Sequence, residues 1–331
     1  MRCQSKRRPL VKMTKQGLYC EPGGFYIDPY SGPVECAVIT HAHSDHARNV
    51  ATQYIATKSS APILYKRLGS DINLDTHHYR DEFYIRDVKV SLHSAGHILG
   101  SAQVRIEYNN EVWLITGDFK RDHDPSCEAY EVVKCDTLIS EATFALPIYR
   151  WAPSSEIAKD ILAWWDNNIS YQQTSVLFCY ALGKAQRVLA ELNKISQRKV
   201  FLHGAISSLV DIYRKAGIAM LRTENLNLAI KKDYRGELII APPSAAGTTW
   251  MRRFKDVQTG FCSGWMRVRG NRRRRGYDRG FVLSDHADWP SLLQTIRDCG
   301  AKQVLLHHGF SEILVRYLNE QGIDAQSLKP T

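Results

Sequence analysis

Apolar residues fall in short runs along the first 150 positions, and turn residues separate the runs. LYC, FYIDP, CAVIT, TQYIAT, VKVSLHS, AQVRIEY, EVWLITG and TLISEA each have strand length and strand composition. One stretch, SSAPILYKRLG, breaks this rhythm with helical spacing. AQVRIEY and EVWLITGD flank Asn109-Asn110, a dipeptide that suits a two-residue hairpin turn.

At Trp151 the rhythm changes. SSEIAKDILAWWDN has helical spacing and a serine available to cap it. Strand and helix patterns then alternate through SVLFCY, GKAQRVLAELNKI, KVFLHG, AISSLVDIYRKAG, ELIIAPP, AAGTTWMRRF and VQTGFCSG. Such alternation predicts a parallel sheet covered by helices. A basic loop, RVRGNRRRRGYDRG, precedes a final strand–helix–strand–helix: FVLSD, WPSLLQTIRDCG, KQVLLHH and SEILVRYLNEQG. The pattern divides the chain at about residues 150 and 280, into segments 1–150, 151–280 and 281–331. The last strands are expected to rejoin the sheet of the first segment, because candidate ligands lie on both.

Composition narrows the class without naming a chemistry. A chain of 331 residues, 44% hydrophobic and 24% charged, buries a substantial core. No run is apolar for long enough to span a bilayer, and MRCQSKRRPLVK lacks the apolar core of a secretion signal and reads as a solvated tail. The net charge of +10 favours polyanionic partners. Eight cysteines without a C-x-x-C pairing read as reduced thiols of a cytosolic protein.

Chemistry concentrates where CAVIT ends. Residues 36–48 read CAVITHAHSDHAR, so one strand delivers His41, His43, Asp45 and His46 within six positions. His41 and His43 are two apart and can point the same way. Asp45 and His46 lie past a turn and can aim at a second point nearby. Imidazole nitrogen and carboxylate oxygen are the donors a hydrolytic zinc site takes. Three more candidates stand at strand ends: His97 in Ser94-Ala95-Gly96-His97, Asp118 in TGDFK, and His308 after KQVLLH. Each alone reads as a loop histidine, a turn aspartate or a half-buried strand residue. Together they offer what two ions need, with Asp118 able to bridge.

In that order these motifs resemble the metallo-β-lactamase fold: two packed sheets, outer helices, and a dinuclear zinc site along one edge. Ser140-Glu141-Ala142-Thr143-Phe144 is similar to the acidic motif that opens the β-CASP nuclease insertion. Ser284-Asp285-His286-Ala287-Asp288 resembles its histidine motif, and His308-Gly309 its last histidine. Residues 17–48, YALGKAQRVLAEL, APPSAAGTTWMRRF and GYDRGFVLSDHADW resemble the bacterial ligase-associated DNA exonucleases, over nearly all of the chain after residue 15.

The resemblance implies an α/β fold, an αββα sandwich carrying a β-CASP-like α/β cap. It implies two Zn2+ per chain, the first on His41, His43 and His97, the second on Asp45, His46 and His308, with Asp118 bridging. The same ligands accept Mn2+. Asp28, in FYIDP, matches the aspartate that orients the motif's histidines. His286 would be the general acid, held by Glu141. Related RNA nucleases end in His-Gly-Glu, whereas this chain reads His307-His308-Gly309-Phe310. Adjacent strand residues face opposite ways, and the glycine favours His308 as the ligand, leaving His307 packed or solvent-facing.

The implied reaction is hydroxide attack on a phosphodiester by a metal pair, in a DNA exonuclease of repair or end processing. An RNA-processing β-CASP ribonuclease is the alternative. A small-ester hydrolase on the same core would explain the metal ligands but not the insertion or the arginine loop. Strand contacts are expected from Lys184 and Ser244, each at a strand–helix turn, and from Arg267, Arg269, Arg272, Arg273, Arg274 and Arg275. Trp265 and Tyr277 flank the arginines and offer stacking faces. The implied partners are DNA, single-stranded or with free ends, and an ATP-dependent DNA ligase and helicase, in the bacterial cytoplasm and away from membrane.

Overall fold

The computed structural model describes residues 9–226, 232–268 and 276–328. Its first sheet sets six strands side by side in chain order. They are β1 (Val11–Met13), β2 (Leu18–Cys20), β3 (Phe25–Ile27), β4 (Val34–Val38), β5 (Ala51–Thr57) and β6 (Leu74–His77). Helix α1 (Ala61–Leu68) joins the last two. A second sheet begins with β7 (Glu82–Ile85), β8 (Val88–Ser94), β9 (Ala102–Tyr108), β10 (Glu111–Ile115) and β11 (Thr137–Glu141). β9 and β10 meet at Asn109 and Asn110, both left-handed at φ 51° and 60°, with Tyr108 opposite Glu111. This is the short hairpin that the asparagine pair predicts.

The two sheets pack face to face because alternation turns one side of each strand inward. Phe25, Ile27, Val38 and Ile55 of the first meet Val90, Val104, Ile106 and Ile115 of the second in one buried cluster.

The cap follows. It runs α2 (Ser154–Ser170), β12 (Thr174–Phe178), α3 (Lys184–Asn193), β13 (Val200–Leu202), α4 (Gly204–Lys215) and β14 (Thr223–Asn225). It closes with β15 (Leu238–Ala241), β16 (Val257–Cys262) and β17 (Arg279–Phe281). Every pairing in this third sheet is parallel. β12 and β15 are buried throughout, which is why TSVLF and LIIA lack a polar face.

Two expectations need correction here. FVLSD is not a strand of its own: β17 ends at Phe281, and the residues after it leave the sheet. AAGTTWMRRF is not an α-helix but part of two 3-10 turns, Pro243–Ala245 and Thr249–Arg253. Pro242 and Pro243 donate no amide, and Gly247 turns left-handed at φ 71°, so the helical spacing is interrupted at its start.

The tail closes the sandwich through α5 (Trp289–Cys299), β18 (Gln303–His307), α6 (Ser311–Glu320) and β19 (Asp324–Ser327). β18 lies parallel to β11, and β19 forms the edge, so KQVLLHH joins the sheet of the first segment as expected, whereas FVLSD gives only Phe281, to β17 of the cap sheet. Asp288 caps α5 by accepting from the Ser291 amide at 3.0 Å. Trp289, Leu292, Ile296, Leu314 and Leu318 press α5 and α6 onto the outer face of that sheet. Ile63 and Leu64 of α1 share a core with Val188 and Leu209 of the cap. The result is an αββα sandwich with an α/β cap inserted between β11 and α5. Among the described residues no helix is long and apolar enough to cross a membrane. The described cysteines are free thiols, buried except for half-buried Cys127.

Candidate metal centre

The ends of β4, β8, β10 and β11 deliver the candidate donors to one place. After β4 the chain keeps pairing through the Ile39 amide, which donates to the Ile55 oxygen at 2.8 Å. It then turns at His43, whose oxygen accepts from the amides of His46 and Ala47. β10 hands over to Gly117 at φ 54°, where an added Cβ would lie 2.7 Å from the Thr40 side chain. Only glycine lets the Asp118 loop come so close to the histidine loop.

Nε2 of His41 and Nε2 of His97 lie 3.1 and 3.0 Å from Nδ1 of His43. The opposite nitrogens fix the tautomers. His43 Nε2 donates to the Leu182 main-chain oxygen at 3.1 Å, and His97 Nδ1 donates to that of Asp285 at 2.8 Å. His41 Nδ1 faces the Thr40 hydroxyl at 3.1 Å, and that hydroxyl donates to Asp28 Oδ2 at 2.5 Å. Three neutral imidazoles therefore aim lone pairs at one another. Without a cation this repels. With zinc–nitrogen bonds of about 2.0–2.1 Å, tetrahedral donors stand about 3.3 Å apart, close to what is observed.

Asp118 supplies the counter-charge. Its Oδ2 lies 3.5 Å from His41 Nε2, 3.4 Å from His46 Nε2 and 3.8 Å from His97 Nε2. Burial pushes the pKa of His41 and His97 well below the ordinary histidine range, helped by His46 for one and His286 for the other. Both rings stay neutral and keep their donor pairs. This His/Asp cluster fits a divalent cation.

His46 behaves differently. Burial opposes its charge, but Asp118 and Asp28 outweigh it and raise its pKa well above the usual value. A proton here does a cation's work between His46 Nε2 and Asp118, and metal binding releases such protons. The rest of the expected second ligand set is looser. Asp45 Oδ2 is 3.9 Å from His46 Nε2 and largely exposed. His308 is exposed, with its ring centroid 6.2 Å from that of His46. Neither belongs to a convergent donor group among the described residues. His307 is buried, and burial followed by the neighbouring His308 lowers its pKa to about 3.

Asp28 holds two of these histidines at once. Its Oδ2 accepts from His46 Nδ1 at 2.7 Å and from the Thr40 hydroxyl that orients His41. Its Oδ1 accepts from the Thr40 amide at 2.7 Å.

Across the cluster stands His286. Its Nδ1 lies 2.9 Å from Glu141 Oε2 and 3.9 Å from Asp118 Oδ2. Burial works against its charge, yet Glu141 and Asp118 push its pKa up to about 9. Glu141 also accepts from the Phe119 amide at 2.7 Å and the Thr143 hydroxyl at 2.6 Å. Its orientation is fixed from three sides.

A cavity of about 760 Å³ opens over this centre, lined by His43, Asp45, His46, Asp118, His286 and His308. Phe144, Tyr180 and Trp265 add an aromatic wall, with Phe144 and Trp265 centroids 4.8 Å apart.

The expected strand contacts fare unevenly. Lys184 is not a free phosphate donor: it is 3% exposed and its ammonium lies 2.7 Å from Asp285 Oδ2. Ser244 is exposed on a three-residue 3-10 turn and has no helix behind it to focus amides on an anion. Arg267 is exposed and donates to the Ile148 oxygen at 3.2 Å. Arg269, Arg272, Arg273, Arg274 and Arg275 lie outside the described residues. Tyr277 stacks on Phe261 at 4.9 Å. Sequence reading gave no role to Thr40, Leu182 or Asp285; two of them act through main-chain oxygens, which leave no mark in a side-chain pattern.

Comparison with known proteins finds relatives that include the following three. The chain is 32% identical over 314 residues to a protein of Opitutus terrae named "Probable DNA ligase", covering 94% of this chain and 30% of that one. It is 21% identical over 209 residues to an "RNase J-like protein" of Methanocaldococcus jannaschii, covering 54% and 50%. It is 28% identical over 172 residues to "Cleavage and polyadenylation specificity factor 73" of Drosophila melanogaster, covering 50% and 25%. The chain thus spans half or less of the length of these relatives. A crystal structure of a protein of unknown function from Enterococcus faecalis shares the fold, with TM-score 0.60 at 14% identity over 89% of this chain and 79% of that one. No family model matches.

Proposed function

We propose that this chain, a relative of the metallo-β-lactamase-fold β-CASP nucleases, is a metal-dependent DNA exonuclease. The observation that carries the reading is the convergence of His41, His43 and His97 on Asp118, with His286 opposite. His41, His43 and His97 would hold one zinc ion. His46, Asp45 and His308 would hold a second, with Asp118 between them. Ions held there lower the pKa of water from 15.7 toward about 7 and neutralise the phosphate under attack.

The chain's own residues do the rest. His286 would give a proton to the leaving oxygen, and Glu141 keeps the ring aimed and favours its charged form. Asp28, by accepting from His46 Nδ1 and from the Thr40 hydroxyl, leaves Nε2 of His46 and of His41 turned toward the cation site. Tyr180 and Trp265 offer faces to an unpaired base near the cut, where stacking is worth about 1–3 kcal/mol per base, and buried Phe144 backs Trp265. The chain's positive charge draws the strand in, and the arginines at 267–275 are expected to guide it.

The extent of similarity favours DNA. The relative named for DNA ligation matches nearly the whole chain, whereas the one named for an RNase matches about half of it. That association also supports work beside a ligase. The name of the RNase J-like relative supports the second reading, a ribonuclease. Matched end-labelled DNA and RNA oligonucleotides, given to metal-stripped and zinc- or manganese-reloaded protein, separate the two. DNA shortened only after reloading supports the proposal; preferential loss of RNA replaces it with the second reading.

A further inference from the structure

The turn that opens cap helix α3 reaches into the metal centre at two points. Leu182 accepts from His43 Nε2 through its main-chain oxygen at 3.1 Å. Lys184, two residues on, places Nζ 2.7 Å from Asp285 Oδ2. Asp285 in turn accepts from His97 Nδ1 through its own main-chain oxygen at 2.8 Å. Two of the three converging histidines are thus oriented from the cap, one directly and one through a buried ion pair.

Arg187 reinforces the grip. It donates to the Ser284 main-chain oxygen at 2.5 Å, its Nη1 is 3.6 Å from Asp285 Oδ1, and its Nε is 3.3 Å from Asp124 Oδ2. Lys184, Arg187, Asp285 and Asp124 are each less than 5% exposed. Buried charges of this kind rarely add more stability than well-packed apolar side chains of equal volume, so stability alone does not account for them. What they do achieve is geometric. Asp285 is held from both sides, and its peptide cannot rotate without breaking an ion pair. Gly183 permits the approach: at φ 87° its missing Cβ leaves room for Ile98, the residue after His97.

We infer that Lys184 and Arg187 are positioning residues that couple docking of the cap helix to assembly of the His41–His43–His97 cation site. This rests on the metal reading above. Coupling is reciprocal: a docked α3 tightens metal binding, and metal binding tightens the docking of α3.

Zinc is the probe, applied to metal-stripped full-length protein in competition with a chromogenic chelator. Lys184→Met should weaken zinc binding at the His41–His43–His97 site by about 10–100-fold, the usual effect of losing a partner that orients a ligand. Lys184→Arg, which keeps the charge, should stay close to wild type. Because Lys184→Met orphans a buried carboxylate and can unfold the chain, Lys184→Met with Asp285→Asn is made alongside. This pair holds no unpaired charge, and it too should bind zinc weakly. Hydrogen exchange adds a readout that a merely structural role would not move. Zinc should raise amide protection from Gly183 to Arg187 in wild type and not in the double variant. A double variant that binds zinc as tightly as wild type, or gains the same protection, overturns the inference and leaves the metal reading standing. Failure of wild type to bind zinc overturns both.

Discussion

Nδ1 of His286 stands 2.9 Å from Oε2 of Glu141, and the two groups come from opposite borders of the cap. Glu141 ends β11, before the insertion, and His286 follows β17, after it. The pairing makes His286 a charged donor facing the cavity. His286→Ala should lower oligonucleotide cleavage by about 10²–10⁴. The loss should be far smaller on bis-p-nitrophenyl phosphate, whose leaving group needs no proton, and zinc content should not change. Equal losses on both substrates would remove the proton-donor role.

Asp118 is the common neighbour of His41, His46, His97 and His286, with one oxygen 3.4–3.9 Å from a nitrogen of each. Asp118→Ala should abolish hydrolysis and reduce bound metal, measured by elemental analysis after gel filtration. A variant that keeps its metal and near-normal activity would show that this carboxylate bridges nothing.

Asp28→Asn tests the tautomer argument. Asparagine tolerates the left-handed backbone at this position (φ 46°), so the fold should persist. With its Oδ1 still taken by the Thr40 amide, the NH₂ replaces Oδ2 and can no longer accept. His46 must then carry its proton on Nε2, and Thr40 must turn its hydroxyl toward His41. Zinc affinity should fall by about 10–100-fold in a chelator competition, with circular dichroism unchanged. Undiminished affinity would mean that Asp28 merely packs.

Local patterns carried most strands of the first segment and the parallel cap, whereas the sandwich came from the family resemblance. Of the candidate donors the structure brings His41, His43, His97 and Asp118 together and leaves Asp45 and His308 outside such a group among the described residues. The Asn109-Asn110 turn and the apolar runs of β12 and β15 are legible without any neighbour. β1, β6 and β7 were not read as strands, since three or four half-exposed residues form a strand only when an existing edge pairs them. Lys184 was misjudged for the opposite reason. A lysine opening a helix looks available to phosphate until Asp285 arrives from far along the chain and neutralises it. The main-chain oxygens of Leu182 and Asp285 could not be read at all, because any residue carries one.

Trp265 lines the cavity beside Phe144. Trp265→Ala should raise KM for a single-stranded oligonucleotide roughly 5- to 150-fold, the range for one lost base stack, with little change in kcat. On an oligonucleotide with an abasic end, wild type and variant should converge. If the variant loses as much on the abasic strand as on the intact one, the indole supports the cavity wall rather than a base.

The most direct test of the account gives zinc- or manganese-loaded protein the same single-stranded DNA as a closed circle and as a linear strand, with a chelator control. The linear strand should shorten stepwise from an end, the circle should survive, and the chelator should stop the digestion. Cleavage of the circle, or digestion that persists after every metal is removed, would contradict a metal-dependent DNA exonuclease.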